Sequence, residues 1–168
     1  YYSIRSGLGF QKSPREYGAF PTDPYSHTPR HGGAKQPGMT GQVKEEILTR
    51  LGELGVLVEN GSVSFRPVLL ESDEFLDEPT VFRYYDVHGD AASLELDSGR
   101  LGFTFCQVPV VYEMVDGPGR VRVRMEDGSD VVLEGDSLGS ELSAELFARS
   151  GSIVRIDVGV PSGVLRGS

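Results

Sequence analysis

Between Val56 and Val160 the sequence is punctuated at short intervals by residues that turn the backbone: Asn60-Gly61, Asp97-Ser98-Gly99, Asp116-Gly117-Pro118-Gly119 and Asp127-Gly128. Glycine reaches positive φ without steric cost and Asn and Asp tolerate it, so each cluster is a hairpin or loop signal. Such punctuation favours short strands and loops over long helices. With 22 Gly and 10 Pro in 168 residues, turn formers make up roughly 19% of the chain, against about 12% on average. This part of the chain therefore has to fold as short strands.

The apolar periods between the turns agree. Val56–Glu59 and Ser62–Pro67 flank Asn60-Gly61 as a hairpin, and Glu71–Pro79 is an acidic connector. Val81–Val87, Ser93–Leu96, Leu101–Val108, Val110–Val115, Arg120–Glu126, Asp130–Glu134 and Ser152–Val160 read as strands. In Leu101–Val108, Leu101, Phe103 and Phe105 share one face, with Thr104 and Cys106 on the other. Pro109 marks a bend or a sheet edge, because it cannot donate to a ladder. Two stretches have helical spacing instead. Val43, Ile47, Leu48, Leu51 and Leu54 form one stripe, predicting an amphipathic helix over 41–54 with Thr40 as N-cap and Gly55 as C-terminal cap. Leu138, Leu142, Leu146 and Phe147 predict a short helix near 139–148. The expected fold is mainly β: an antiparallel, jelly-roll-like β-sandwich over 80–160 with one N-terminal amphipathic helix and a short late helix. The tail 161–168 has no apolar period and is expected to be disordered.

Residues 1–40 differ from the rest. They show neither period and are broken by Ser13-Pro14, Phe20-Pro21, Asp23-Pro24, Thr28-Pro29, Gly32-Gly33 and Gln36-Pro37-Gly38. They carry five Lys/Arg against two acids, net +3, whereas the remainder carries 11 bases against 23 acids, net −12. A structureless stretch this long is unusual within a compact domain. Together with a first residue that is Tyr1 rather than Met, it suggests a piece of a longer protein. On this reading 1–55 is the end of a missing helical barrel, and 56–79 is a hairpin and acidic linker.

The overall charge of −9 argues against a nucleic-acid or anionic-membrane surface. No window has the ~18 apolar residues a membrane span needs. One cysteine, Cys106, excludes an internal disulfide and any CxxC metal site, so reducing and periplasmic compartments are both compatible. Nothing near Cys106 would lower a thiol pKa, so it reads as a sheet residue rather than a nucleophile. His88 reads as a turn residue. The acids Glu71, Asp73, Glu74, Asp77 and Glu78 lack EF-hand spacing and read as a solvated linker. Arg120, Arg122 and Arg124 alternate along one strand, with acids at 126, 127, 130 and 134 placed to pair with them across strands.

One segment concentrates chemistry. Residues 20–29 bring together Asp23, Tyr25 and His27, and Arg30, His31, Gly32, Gly33, Lys35, Gln36 and Thr40 follow directly into the helix. Glycines let backbone N–H groups approach a ligand, and a helix N-terminus adds partial positive charge. This makes Asp23, Tyr25, His27, His31, Gly32, Gly33, Lys35, Gln36 and Thr40 a candidate substrate- or anion-binding set. The alternative is an ordered loop capped onto its helix. It is not a Walker A loop, because no Gly-Lys-Ser/Thr follows at the correct spacing. Asp23 with Glu45 or Glu46 is a conceivable carboxylate pair, but spacing alone supports no catalytic residue and no metal or cofactor site.

The order of events from 30 to 70 resembles the tail of bacterial six-hairpin (α/α)6-barrel carbohydrate enzymes, the maltose- and cellobiose-phosphorylase-like group and related glycosidases. The resemblance rests on Gly32-Gly33-Ala34…Gly38-Met39-Thr40-Gly41 before a helix, on Leu51-Gly52-Glu53-Leu54-Gly55 ending it, and on Val56 through Phe65-Arg66-Pro67-Val68-Leu69-Leu70 beyond. It implies that the loop faces a barrel active site and helps hold phosphate, with Gly32, Gly33, Ala34, Lys35 and Thr40 at a subsite floor. Lys35-Gln36-Pro37 departs from the phosphorylase loop, so a hydrolase or a non-catalytic relative fits equally. The implied protein is the C-terminal part of a carbohydrate-active enzyme whose partners are the missing barrel and an oligosaccharide or sugar phosphate. The alternative is a stand-alone β-sandwich binding carbohydrate or protein through Tyr84, Tyr85 or Tyr112.

Overall fold

A computed structural model describes residues 40–166, with side chains from Ile47 onward. The chain divides into two units after Thr49. Of the first, only the start of helix α1 (Thr40–Glu53) is described; Thr40 is its first helical residue rather than a cap. Ile47 and Leu48, two of the predicted apolar stripe, are 55% and 68% exposed.

The second unit is mainly β. Hairpin β1 (Val56–Glu59) and β2 (Ser62–Phe65) closes around Asn60-Gly61, as the sequence predicts. A second hairpin joins β3 (Thr80–Tyr85) to β4 (Ala91–Leu96). The centre is a five-stranded sheet of β5 (Arg100–Phe105), β6 (Val108–Val115), β7 (Arg120–Met125), β8 (Asp130–Glu134) and β9 (Ile153–Pro161). Its spatial order is β5-β6-β9-β7-β8. Helix α2 (Gly139–Ala148) precedes β9.

Alternation decides which face is dry. Leu101, Phe103 and Phe105 of β5, Val108, Val110 and Tyr112 of β6, Val121 and Val123 of β7, and Ile156, Val158 and Val160 of β9 point to one core. Val63 and Phe65 of β2 and Leu146 of α2 close it from above. Ser143 of α2 is fully buried, and its hydroxyl accepts a hydrogen bond from the Val63 amide at 2.9 Å. Helix and hairpin are thus tied at a point where an unmade bond would cost the desolvation of a backbone group.

The expected mainly β fold with antiparallel pairing and two helices is present; three local expectations are corrected, and one strand pair departs from the antiparallel pattern. The predicted strand Leu101–Val108 stops at Phe105. Cys106 and Gln107 then form a two-residue turn with φ of 51° and 65°, so Cys106 sits in a turn, not mid-strand. Pro109 lies inside β6, opposite Thr104; pairing of β6 with β9 begins only at Val110, so its missing N–H leaves no ladder bond unmade. The sheet is not wholly antiparallel, because β6 and β9 run parallel after the crossover through β7, β8 and α2. The tail is ordered through Arg166: Ser162–Val164 form a 3-10 turn, Leu165 is buried, and the Arg166 amide bonds the Leu70 carbonyl at 3.0 Å. A single apolar anchor, Leu165, outweighs the lack of period around it.

Candidate functional site

Asp23, Tyr25, His27, His31, Gly32, Gly33, Lys35 and Gln36 lie outside the described residues, and Thr40 is described only as the first residue of α1. The site reading that rests on them is neither assembled nor dispersed by the described structure. Among the described residues no group of three or more His, Cys, Asp or Glu is placed to hold a metal ion.

His88 lies in the β3–β4 turn. There the Asp86 carboxylate accepts from the amides of His88 and Asp90 at 2.9 and 3.0 Å. Cys106 is half-buried at the rim of the core. Within the acidic connector, Glu74 pairs with Arg50 at 2.6 Å and accepts from the Glu71 amide at 3.2 Å. These side chains hold loops in shape. Of the three tyrosines proposed as an exposed binding face, Tyr112 is fully buried, Tyr84 is half-buried and stacked on Phe82 with centroids 5.7 Å apart, and only Tyr85 is open, 69% exposed. Tyr112 is buried because it occupies a core-facing register of β6, sharing a face with Val108 and Val110.

The outer face of the five-stranded sheet carries rows of charged side chains. Register brings Arg100 and Glu113, then Gly159, Arg120 and Glu134 into one row, and Asp157 and Arg122 into the next. Arg100 pairs with Asp97 at 3.2 Å and Glu113 at 3.6 Å, and Arg155 holds Asp157 through Nε at 2.8 Å. Arg124 pairs with Asp130, as alternation predicts. That pairing, reinforced by the charge of Arg122, holds the Asp130 carboxyl below its ordinary range. Arg120 and Arg122, however, have no carboxylate within 4.0 Å among the described residues. The expected pairing of the whole stripe is therefore met at Arg124 alone. Arg100, Glu113, Arg120, Arg122, Arg155, Asp157 and Gly159 surround a shallow depression of about 100 Å³.

A second concavity, about 350 Å³, lies at the end of the sheet. Pro67, Val68, Val160, Pro161 and Val164 make it apolar, and the Arg66–Asp136 ion pair at 2.7 Å sits in its wall. No protein-family model matches the chain, and no curated protein matches it.

Sequence reasoning picks out Arg120 and Arg122 but misses Arg100, Arg155, Asp157 and Gly159. The available signal is the outward alternation Arg155-Asp157-Gly159 in β9. Only the strand order shows that it falls beside Arg122.

Proposed function

We propose that the chain is an accessory β-domain of a larger carbohydrate-active enzyme, glycoside hydrolase or phosphorylase-like, and is not catalytic by itself. The observation that carries this reading is the joint between helix and β-domain. Helix α1 passes through buried Leu54 and the left-handed Gly55 (φ 68°) into hairpin β1–β2 and Pro67, the order on which the resemblance to six-hairpin enzymes rests. Ile47 and Leu48 present apolar surface on the preceding turns. A helix anchored by Leu54 at one end, with Ile47 and Leu48 exposed one turn and more before it, suits the last helix of a barrel, which neighbouring helices would cover.

Turnover of maltose and cellobiose, with and without phosphate, tests the reading. The chain alone should release no sugar, while a longer protein containing it should act on an oligosaccharide. Turnover by this chain alone, or none by the longer protein on any glycoside, would sink it.

The exposed ring of Tyr85 favours a second reading, a stand-alone carbohydrate-binding module. In that case sugar titration would show saturable binding by this chain, lost in Tyr85→Ala.

A further inference from the structure

We propose that the outer face of the five-stranded sheet is a phosphoryl-binding site, in which Arg120 and Arg122 contact the anion and Arg100 and Arg155 frame it. This concerns a different surface from the joint at Leu54, so it stands or falls apart from the enzyme reading.

Two guanidiniums at the depression are already engaged. Arg100 is held by Asp97 and Glu113, and Arg155 by Asp157. These pairs fix the two side chains at the sides of the depression. Arg120 and Arg122, two residues apart on β7, point to the same face and have no carboxylate partner within 4.0 Å among the described residues. Of the charges lining the depression, four guanidiniums stand against two carboxylates. With Asp97 on Arg100 and Glu134 opposite Arg120 the wider surface is balanced, so the positive potential is local to Arg120 and Arg122, on a chain whose net charge is −9.

The two guanidiniums without carboxylate partners select the ligand class. A single carboxylate presents two oxygens in one plane and suits one guanidinium fork. A phosphoryl dianion supplies two charges, and its tetrahedral oxygens match two guanidinium forks approaching from one strand. The volume suits it, since about 100 Å³ holds a few waters or one such group. Gly159 keeps the floor open: a Cβ there would stand 3.3 Å from Val115 Cγ1 and 3.6 Å from Arg120 Cγ.

The test is an amide-resolved NMR titration of the full chain with inorganic phosphate and glucose 6-phosphate, against acetate and glucose at matched ionic strength. Phosphate and glucose 6-phosphate should shift the amides of Arg120, Arg122, Asp157 and Gly159 in a saturable way. Acetate and glucose should not. The double variant Arg120→Gln/Arg122→Gln should weaken binding roughly tenfold or more, and Gly159→Ala should weaken it with the rest of the spectrum unchanged. Arg83→Gln, on the β3–β4 hairpin, should bind as the parent does. The proposal is overturned if these amides do not move at ~20 mM phosphate, a concentration well above the millimolar dissociation constant expected of an exposed site. It is equally overturned if acetate moves them as far, or if binding survives the double substitution.

Discussion

The Tyr112 hydroxyl donates to the Leu54 carbonyl across 2.5 Å, joining the middle of the central sheet to the residue that follows helix α1. The last carbonyls of a helix have no partner within it, and this one is buried where water cannot serve. The ring is itself wedged edge-on between Phe65 and Phe103, with centroids 6.2 and 5.1 Å away. Burial pushes the phenol pKa far up, so the hydroxyl remains a donor across the physiological range.

Tyr112→Phe keeps the ring and its packing but orphans the Leu54 carbonyl. Urea unfolding should show a loss of about 1–3 kcal/mol. A value near zero would mean that the bond contributes nothing the backbone cannot recover by a small shift.

Gly55 offers a sharper case, because two constraints coincide there. Its φ is 68°, and a Cβ would lie 2.1 Å from the carbonyl carbon and oxygen of Arg66, whose amide bonds the Gly55 carbonyl at 2.7 Å. Gly61 has a similar φ, 76°, but open space around it. Gly61→Ala should cost about 1 kcal/mol from backbone strain alone. Gly55→Ala must also push the facing backbones apart and should cost at least ~3 kcal/mol. Equal losses in thermal unfolding would show that the close approach at Arg66 adds nothing to the backbone strain.

Ser143→Ala removes the acceptor of the buried Val63 amide while deleting a single oxygen atom. Its cost should be about 1–3 kcal/mol, and hydrogen exchange should speed up at the Val63 amide. Faster exchange confined to the far end of the sheet would place the coupling elsewhere.

The acid limb of stability follows from Asp127 and Asp130. Hydrogen bonds from Ser129 lower the first carboxyl and the Arg124 pair lowers the second, both below the ordinary 3.8. A depressed carboxylate stabilises the fold above its unfolded pKa, and that contribution is lost as pH falls through the folded value. Stability attributable to this hairpin should therefore be full above about pH 4 and disappear below it. In Asp127→Asn/Asp130→Asn, the urea midpoint should fall less steeply between about pH 4 and pH 2 than in the parent. Parallel curves would show that the two carboxyls do not contribute.

Much of the architecture was legible because local signals agreed with the fold. The Asn60-Gly61 hairpin, the alternation in β7 and β8 and the helical spacing of Leu138, Leu142 and Leu146 each point to what forms. The turn at Cys106-Gln107 was not legible, since neither residue favours positive φ. Tertiary contacts hold it instead: the Gln107 amide donates to the Asp86 carbonyl at 2.9 Å, and Arg149 donates to the Gln107 side chain at 3.3 Å. The arginine depression was half legible. Arg120 and Arg122 advertise themselves by spacing on one strand, but Arg155 and Asp157 join them only through the placement of β9, a non-local pairing that no period encodes.

The placement of β9 also has a temporal consequence. It is the last of the described strands to be made, yet it lies between β6 and β7 and is bonded to both. On the ribosome, the β5–β6 and β7–β8 hairpins emerge first as two ribbons that are not paired with each other and have bare edges. Neither can join the other until Ile153–Pro161 has left the exit tunnel. Any nascent chain stalled before that strand would expose bare edges, open to aggregation and proteolysis until β9 is made.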